Sequence, residues 1–207
     1  VLNYLLLLGW APEGEQEIFS LDEMIKIWDP ARISKSPAIF DPLKLRAINA
    51  AYIRALPAEE FRRLADPFID SAVHRDIDRD LLCANLQPRC EVLEDIPPQL
   101  DFFDAVLPID AEMYRNKKQK TAPESAKEAL SALLPMLEAQ TDWNRDAIFE
   151  ACKVLAEQMG KKNGWLLFPL GIALSGKART PGGGTDLAAM LGKPETLARV
   201  KAALEKL

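Results

Sequence analysis

Ser34-Lys-Ser-Pro-Ala-Ile-Phe-Asp-Pro-Leu-Lys-Leu-Arg-Ala-Ile-Asn-Ala-Ala-Tyr-Ile-Arg54 opens as a polar loop and, at Asp41-Pro42, turns into a helix. The Asp41 carboxylate can accept hydrogen bonds from free amides of the first turn, and Pro42 at the first helical position gives up an N–H that would otherwise lack a partner. Leu45, Ile48, Asn49 and Tyr52 then recur at helical spacing, while Lys44, Arg46 and Arg54 leave cations on other faces. Such a face has to be covered by another element. The run Ile33-Ser-Lys-Ser36 invites comparison with the Ser-Lys loop of ATP-using nucleotidyl-transfer enzymes. That loop acts beside a fold of alternating strands and helices, which the 32 residues ahead of it cannot contain.

On the N-terminal side, residues 2–8 read as a helix ending at Gly9. Ser20-Leu-Asp-Glu23 has the spacing of a capping box, with Phe19 placed to staple against Met24, so a second helix runs through Trp28 and stops at Asp29-Pro30. On the C-terminal side, the helix from Pro42 to about Ala55 is followed by one starting at Leu56-Pro57, with a kink expected at Pro67. A charged helix spans 76–86, Gln87-Pro-Arg-Cys-Glu91 breaks it, and the apolar residues from Val92 to Leu107 fit short packed helices, because no period-2 run persists. Arg115-Asn-Lys-Lys-Gln-Lys120 is a polar connection, after which helices are expected over 123–139 and about 143–159, the second capped by Thr141 and ended by Gly160. A short helix over 166–174 stops at Gly176, Thr185 caps another through Leu191, and Leu197, Val200, Leu204 and Leu207 stripe the last. Thr180-Pro-Gly-Gly-Gly-Thr185 is not a phosphate-cradling loop, since no strand precedes it and no Gly-Lys-Ser/Thr follows. The fold class is all-α, with a division near residues 66–72.

The chain has 207 residues and is 48% apolar, enough for a proper core in one domain or two small ones. Its net charge of −5 rules out a nucleic-acid reading based on summed charge. The distribution is less even. Residues 151–207 hold nine basic and four acidic side chains, a local +5, which leaves 17 and 27, or −10, for residues 1–150. A basic end on an acidic molecule fits a phosphate-bearing partner touching that end, or a solvated surface. Cys83, Cys90 and Cys152 have no metal-ligand spacing and point to a reducing interior. The first ten residues are apolar but too short to span a bilayer, so neither membrane segment nor signal peptide is expected. Because the chain opens inside a helix without Met, it is expected to be part of something longer.

Few residues could carry chemistry. His74 is the only histidine and has no nucleophile beside it, so it reads as a salt-bridged surface residue, and one histidine with three scattered cysteines builds no zinc site. Glu59-Glu60 and Asp78 with Asp80 read as solvated faces. No catalytic, cofactor or metal site is expected. Arg89 follows Pro88 between two apolar segments, where a loop could fix its guanidinium to read an unstacked base or clasp a phosphate; pairing with Glu91 or Glu94 is the other possibility. Thr180 and Pro181 are either turn residues or the edge of a base pocket. Two rival functions remain open: a helical interaction module docking through the 197–207 stripe, and a small enzyme using His74 or the acidic pairs.

Several further runs, taken in order, resemble the C-terminal half of bacterial glutamyl-tRNA synthetases. They are Asn3-Tyr-Leu5 through Leu8-Gly-Trp10, Glu17-Ile-Phe-Ser20, Arg32-Ile-Ser-Lys-Ser-Pro-Ala-Ile-Phe-Asp41, Lys44-Leu45 with Asn49, Tyr52, Ile53 and Arg54, Gln87-Pro-Arg89, Ala173-Leu-Ser-Gly176, Thr180-Pro-Gly182 and Leu191-Gly-Lys193. The resemblance implies a helical stem-contact domain over 1–70 and an all-helical anticodon-binding region over 71–207, with a possible subdivision near 115–123. It implies tRNA(Glu) as partner. Arg89 would read the third anticodon base and favour the glutamate over the glutamine anticodon, and Thr180 and Pro181 would line the anticodon pocket. Gly171 stands where the family has a second anticodon arginine, and Gly183 where it has a leucine. ATP and magnesium would serve a catalytic half outside this chain, which by itself would be inactive. The parent would be a cytoplasmic, monomeric glutamate-tRNA ligase.

Overall fold

The computed structural model describes every residue except Ser36, so the last residue of the Ser34-Lys35-Ser36 run lies outside the described residues. The architecture is all-α, as the sequence implies. Among the described residues the only extended pairings are two isolated bridges, Trp10 with Ile33 and Asn116 with Thr121. Helix α1 spans Leu2–Gly9 and α2 spans Leu21–Ile27, where the Ser20 hydroxyl accepts from the Glu23 amide and the Glu23 carboxylate accepts from the Ser20 amide. Helix α3 spans Pro42–Ala55, and the Asp41 carboxylate accepts from the Leu43 and Lys44 amides at 2.9 and 3.1 Å.

Helix α3 ties the first forty residues together through Asn3. The buried Asn3 amide donates to the Glu17 carbonyl at 2.7 Å, while its oxygen accepts from the Phe19 amide at 2.7 Å and lies 2.9 Å from the Tyr52 hydroxyl. A buried amide satisfied at both ends specifies one arrangement of its three neighbours. The Tyr4 hydroxyl accepts from the Asp41 amide at 2.6 Å, which joins α1 to the start of α3.

Helix α4, Ala58–Asp70, runs through Pro67 as one helix and buries Phe61, Ala65 and Ile69. Helix α5, Arg79–Leu86, starts three residues later than the charged pattern implies, because the Asp78 carboxylate accepts from the Leu81 amide and so caps it. Single 3₁₀ turns follow at Gln87–Arg89, Leu93–Asp95, Pro97–Gln99 and Ala111–Tyr114. Helix α6 spans Pro123–Ala139 and α7 spans Arg145–Gln158. Asn144, not Thr141, caps α7 by accepting from the Ala147 amide at 2.9 Å.

Helix α8, Asn163–Ser175, is apolar almost all round, which is the pattern of a helix enclosed on every side. It packs against α6, α7, α9 and α10, and carries Trp165, Leu166, Leu170, Ile172 and Leu174 into one continuous core running from Ile53 to Ala203. Helix α9, Gly184–Leu191, starts one residue before Thr185, which is buried inside it. Its cap is the Gly183 amide donating to the Asp186 carboxylate at 2.7 Å. In α10, Lys193–Lys206, Val200 is fully buried and Leu197, Leu204 and Leu207 pack on the core. The stripe therefore faces inward, and the docking-module rival loses its surface.

Arg199 locks α10 to the rest. Nearly fully buried, its guanidinium donates to the Leu174 carbonyl at 2.6 Å and to the Phe102 and Phe103 carbonyls at 2.8 and 2.7 Å, while Glu195 takes its Nε at 2.6 Å. Arg75, with Arg199 second, holds the Glu195 carboxyl down at about 2. No helix among the described residues is long and apolar enough to cross a membrane.

Candidate nucleic-acid interface

Two elements far apart in sequence bound one cleft. The first is the loop between α8 and α9. Gly176 ends α8 at φ +70°, and a Cβ there would lie 2.6 Å from the Leu107 carbonyl oxygen, so glycine is required on both conformational and steric grounds. The Ser175 hydroxyl donates to the Gly171 carbonyl at 2.7 Å and accepts from the Lys177 amide at 3.0 Å, fixing where the loop departs. Lys177 is anchored on the Pro98 carbonyl at 2.8 Å and on the Asp101 carboxylate. At the far end, the Thr180 hydroxyl donates to the Gly182 carbonyl at 2.8 Å.

The second element is the turn Gln87–Arg89, held from both sides by α3. Ahead of Arg89, the Gln87 amide donates to the Ile53 and Leu56 carbonyls at 3.0 and 2.8 Å. Beyond it, the Asn49 amide donates to the Glu91 carbonyl at 2.6 Å, and Arg46 takes both the Glu91 and Asp95 carboxylates. Glu91 raises the Arg46 guanidinium above its ordinary range, with Asp95 adding to the effect. Glu91 is thus engaged elsewhere, and Arg89 is exposed with no hydrogen bond or ion pair among the described residues.

Between these elements lies a cleft of about 480 Å³ whose lining includes Arg89, Thr180, Phe168, Arg179, Gln119 and the backbone of Gly182 to Gly184. Of the chain's twelve arginines, nine are engaged with acidic side chains. The three without a partner among the described residues are Arg54, Arg89 and Arg179, and two of these line this cleft. Pro181 is buried behind the loop and is not part of the lining, while Gly171 and Gly183 both are. Thr180 is at once a turn residue and a cleft residue.

Gly184 brings α8 and α9 into close contact. A Cβ there would fall 2.6 Å from the Leu167 carbonyl oxygen and 3.0 Å from the Gly171 amide nitrogen, so the two backbones meet without side chains between them. At Gly171 itself a Cβ would find only ordinary contact at 3.8 Å. Half-buried Phe168 supplies an aromatic face in the same lining. Free guanidiniums, an aromatic ring and glycine backbone in one recess are the components by which splayed bases are stacked and hydrogen-bonded.

The remaining candidates differ in character. A larger groove of about 760 Å³ is lined by Arg62, Arg63, Asp66 and Asp80, but Arg62 pairs with Asp80 and Arg63 with Glu60, so its arginines are already engaged. His74 is exposed with its Nδ1 2.6 Å from the Asp104 carboxylate, and the bonds from His74 hold Asp104 below its usual range. Burial pushes the Cys83 and Cys90 thiols up to about 11 and Cys152 up to about 12, which makes them packed hydrophobes, not nucleophiles. Sequence reasoning missed Arg179, Phe168 and Gln119; the one available signal was a cation beside Thr180 in the Gly-Pro loop.

An all-helical scaffold presenting free guanidiniums and an aromatic ring in a recess has the layout suited to unstacked, single-stranded nucleic acid. The model for the anticodon binding domain matches residues 49–204, and the chain belongs to that family. The chain is 44% identical over its whole length to the glutamate--tRNA ligases of Clostridium botulinum (strain Hall) and Clostridium acetobutylicum. It spans 43% of each, less than half the length of those curated relatives. It also superposes on the crystal structure of a glutamate tRNA ligase from Elizabethkingia meningosepticum with a TM-score of 0.85 at 28% identity, covering 100% of this chain and 40% of that one. The resemblance to glutamyl-tRNA synthetases drawn from the sequence is borne out.

Proposed function

We propose that this chain reads the anticodon loop of tRNA(Glu) for a glutamate-tRNA ligase, with Arg89 as the principal base contact and Thr180 and Pro181 shaping the pocket. The observation that carries the reading is the concentration of unpartnered guanidiniums in one aromatic-floored cleft, in a molecule whose other arginines, apart from Arg54, are neutralised. A bidentate fork held by a turn can match two acceptors on a base edge, whereas exposed lysines bind phosphates at any sequence. The third anticodon base is the proposed target of Arg89.

In this reading, residues 1–70 are the stem-contact part and residues 71–207 the anticodon-binding part of a monomeric, cytoplasmic enzyme. Glutamate activation with ATP and magnesium, and transfer to the tRNA terminus, are assigned to protein outside this chain. The surface fits this division of labour: of thirteen exposed large apolar residues among the described ones, twelve lie within residues 1–43. Exposed apolar side chains concentrated in one segment fit a contact surface for further protein. Distant contacts aid such a reaction only when their binding energy orients the reacting end, and α3, bonded to both the first forty residues and the Arg89 turn, is the element that would couple the two.

The test is a fluorescence titration with glutamate tRNA, a non-cognate tRNA and the glutamate tRNA carrying a glutamine anticodon. The expected result is a preference for the cognate species that disappears when the anticodon is exchanged. Equal affinities for all three would remove the anticodon reading.

A further inference from the structure

We propose that Arg179 is a second specificity-determining residue of the cleft, reading an anticodon nucleotide other than the one read by Arg89. The inference rests on the anticodon reading above and adds a residue, and a division of positions, that the reading does not contain.

Three observations carry it. The first is availability. The carboxylate nearest to Arg179 along the chain is already used, since Asp186 accepts from the Gly183 amide at 2.7 Å and lies 3.3 Å from Arg145; Asp101, which meets the same loop, is held by Lys177. Arg179 itself is exposed and has no partner among the described residues, although residues 1–150 carry a net −10.

The second is preorganisation. The backbone of Arg179 sits between two pinned points, the Ser175–Lys177 hydrogen bond on one side and the Thr180–Gly182 turn on the other. A side chain on a loop fixed at both ends loses less entropy on binding than one on a free loop.

The third is placement. Arg89 belongs to the turn after α5 and Arg179 to the loop after α8, yet both line the same cleft, with the ring of Phe168 in the lining and the bare Gly171–Gly184 crossing open to it. Guanidiniums supplied from two separate elements can address two successive unstacked nucleotides at once, with the aromatic face available for stacking. An arginine that served only as a phosphate contact would be replaceable by lysine, because a point charge is enough there.

The experiment uses the full-length protein and a set of glutamate tRNA transcripts, each with one anticodon base changed, titrated against wild type, Arg89→Ala, Arg179→Ala and Arg179→Lys. Wild type should discriminate at more than one position. Arg89→Ala should flatten discrimination at the third base alone. Arg179→Ala should flatten it by roughly 5- to 150-fold at the first or second base and leave the third intact. Arg179→Lys should lose the same discrimination while retaining more of the overall affinity. Because Arg179 is exposed and unbonded, the melting temperature of both variants should match wild type.

If Arg179→Ala weakens all transcripts equally, weakens none, or flattens only the position lost in Arg89→Ala, the inference is overturned while the anticodon reading stands. Lysine restoring full discrimination would likewise reduce Arg179 to a charge contact. A wild type indifferent to every anticodon change would overturn the anticodon reading itself, and this inference with it.

Discussion

Glu91 follows Arg89 closely enough in sequence to neutralise it, and Arg46, reaching across from α3, takes Glu91 instead, together with Asp95; Glu94 makes no ion pair with Arg89 among the described residues. That choice of partner is decided by tertiary contacts, so the sequence could present only the two alternatives. For the proposed base contact, Arg89→Ala in the full-length protein is expected to raise kcat/KM for the glutamine-type anticodon relative to the glutamate one by a factor equivalent to about 1–3 kcal/mol, borrowing the scale of bidentate base readout. An unchanged kcat/KM ratio would count against it. Glu195 gives a separate residue-scale prediction. Its folded-state value of about 2, set first by Arg75, lies below the ordinary carboxylate range. It therefore contributes stability above about pH 4.5 that is lost as the pH falls towards 2. Chemical denaturation across that window should show wild type losing stability faster than Glu195→Gln.

At the scale of elements, helix boundaries were legible where a residue closes its own cap, through the side chain at Ser20 and Asp41 and through the left-handed backbone at Gly176. They were missed where a neighbour competed for the role. Asp78 displaced Asp76 as the start of α5, Asn144 displaced Thr141 at α7, and Asp186 capped α9 from inside the helix, leaving Thr185 buried. The cleft depends on the α8–α9 crossing. Gly184→Ala is expected to force those backbones apart, costing about 1–3 kcal/mol in denaturant unfolding and weakening tRNA binding with it. Arg199→Leu should cost about 3–5 kcal/mol, because it leaves Glu195 without one partner, takes the guanidinium donor from the Leu174 and Phe102 carbonyls and leaves the Phe103 carbonyl to Arg75 alone. Asn49→Ala tests the link from α3 to the Arg89 turn: anticodon discrimination should fall although Asn49 donates only to the Glu91 carbonyl.

Taken as a whole molecule, the all-α class was legible because Pro-marked breaks and helical periodicity agree along the entire chain. The cleft was not, because its walls come from residues around 89, 119, 168 and 179, and no local pattern announces which separated turns will meet. The same holds for the final stripe, whose inward direction depends on α6 and α8 being there to cover it. Because apolar exposure is concentrated in residues 1–43, this chain in isolation should bind a hydrophobic dye more strongly, per molecule, than the full-length protein does. The central claim, that the Arg89–Arg179 cleft holds the anticodon, is tested most directly by photo-crosslinking a glutamate tRNA that carries 4-thiouridine in its anticodon and mapping the attached peptide. The account predicts attachment within the segments around Arg89, Phe168 or Arg179. Attachment confined to residues 1–70, with those segments untouched, would contradict it.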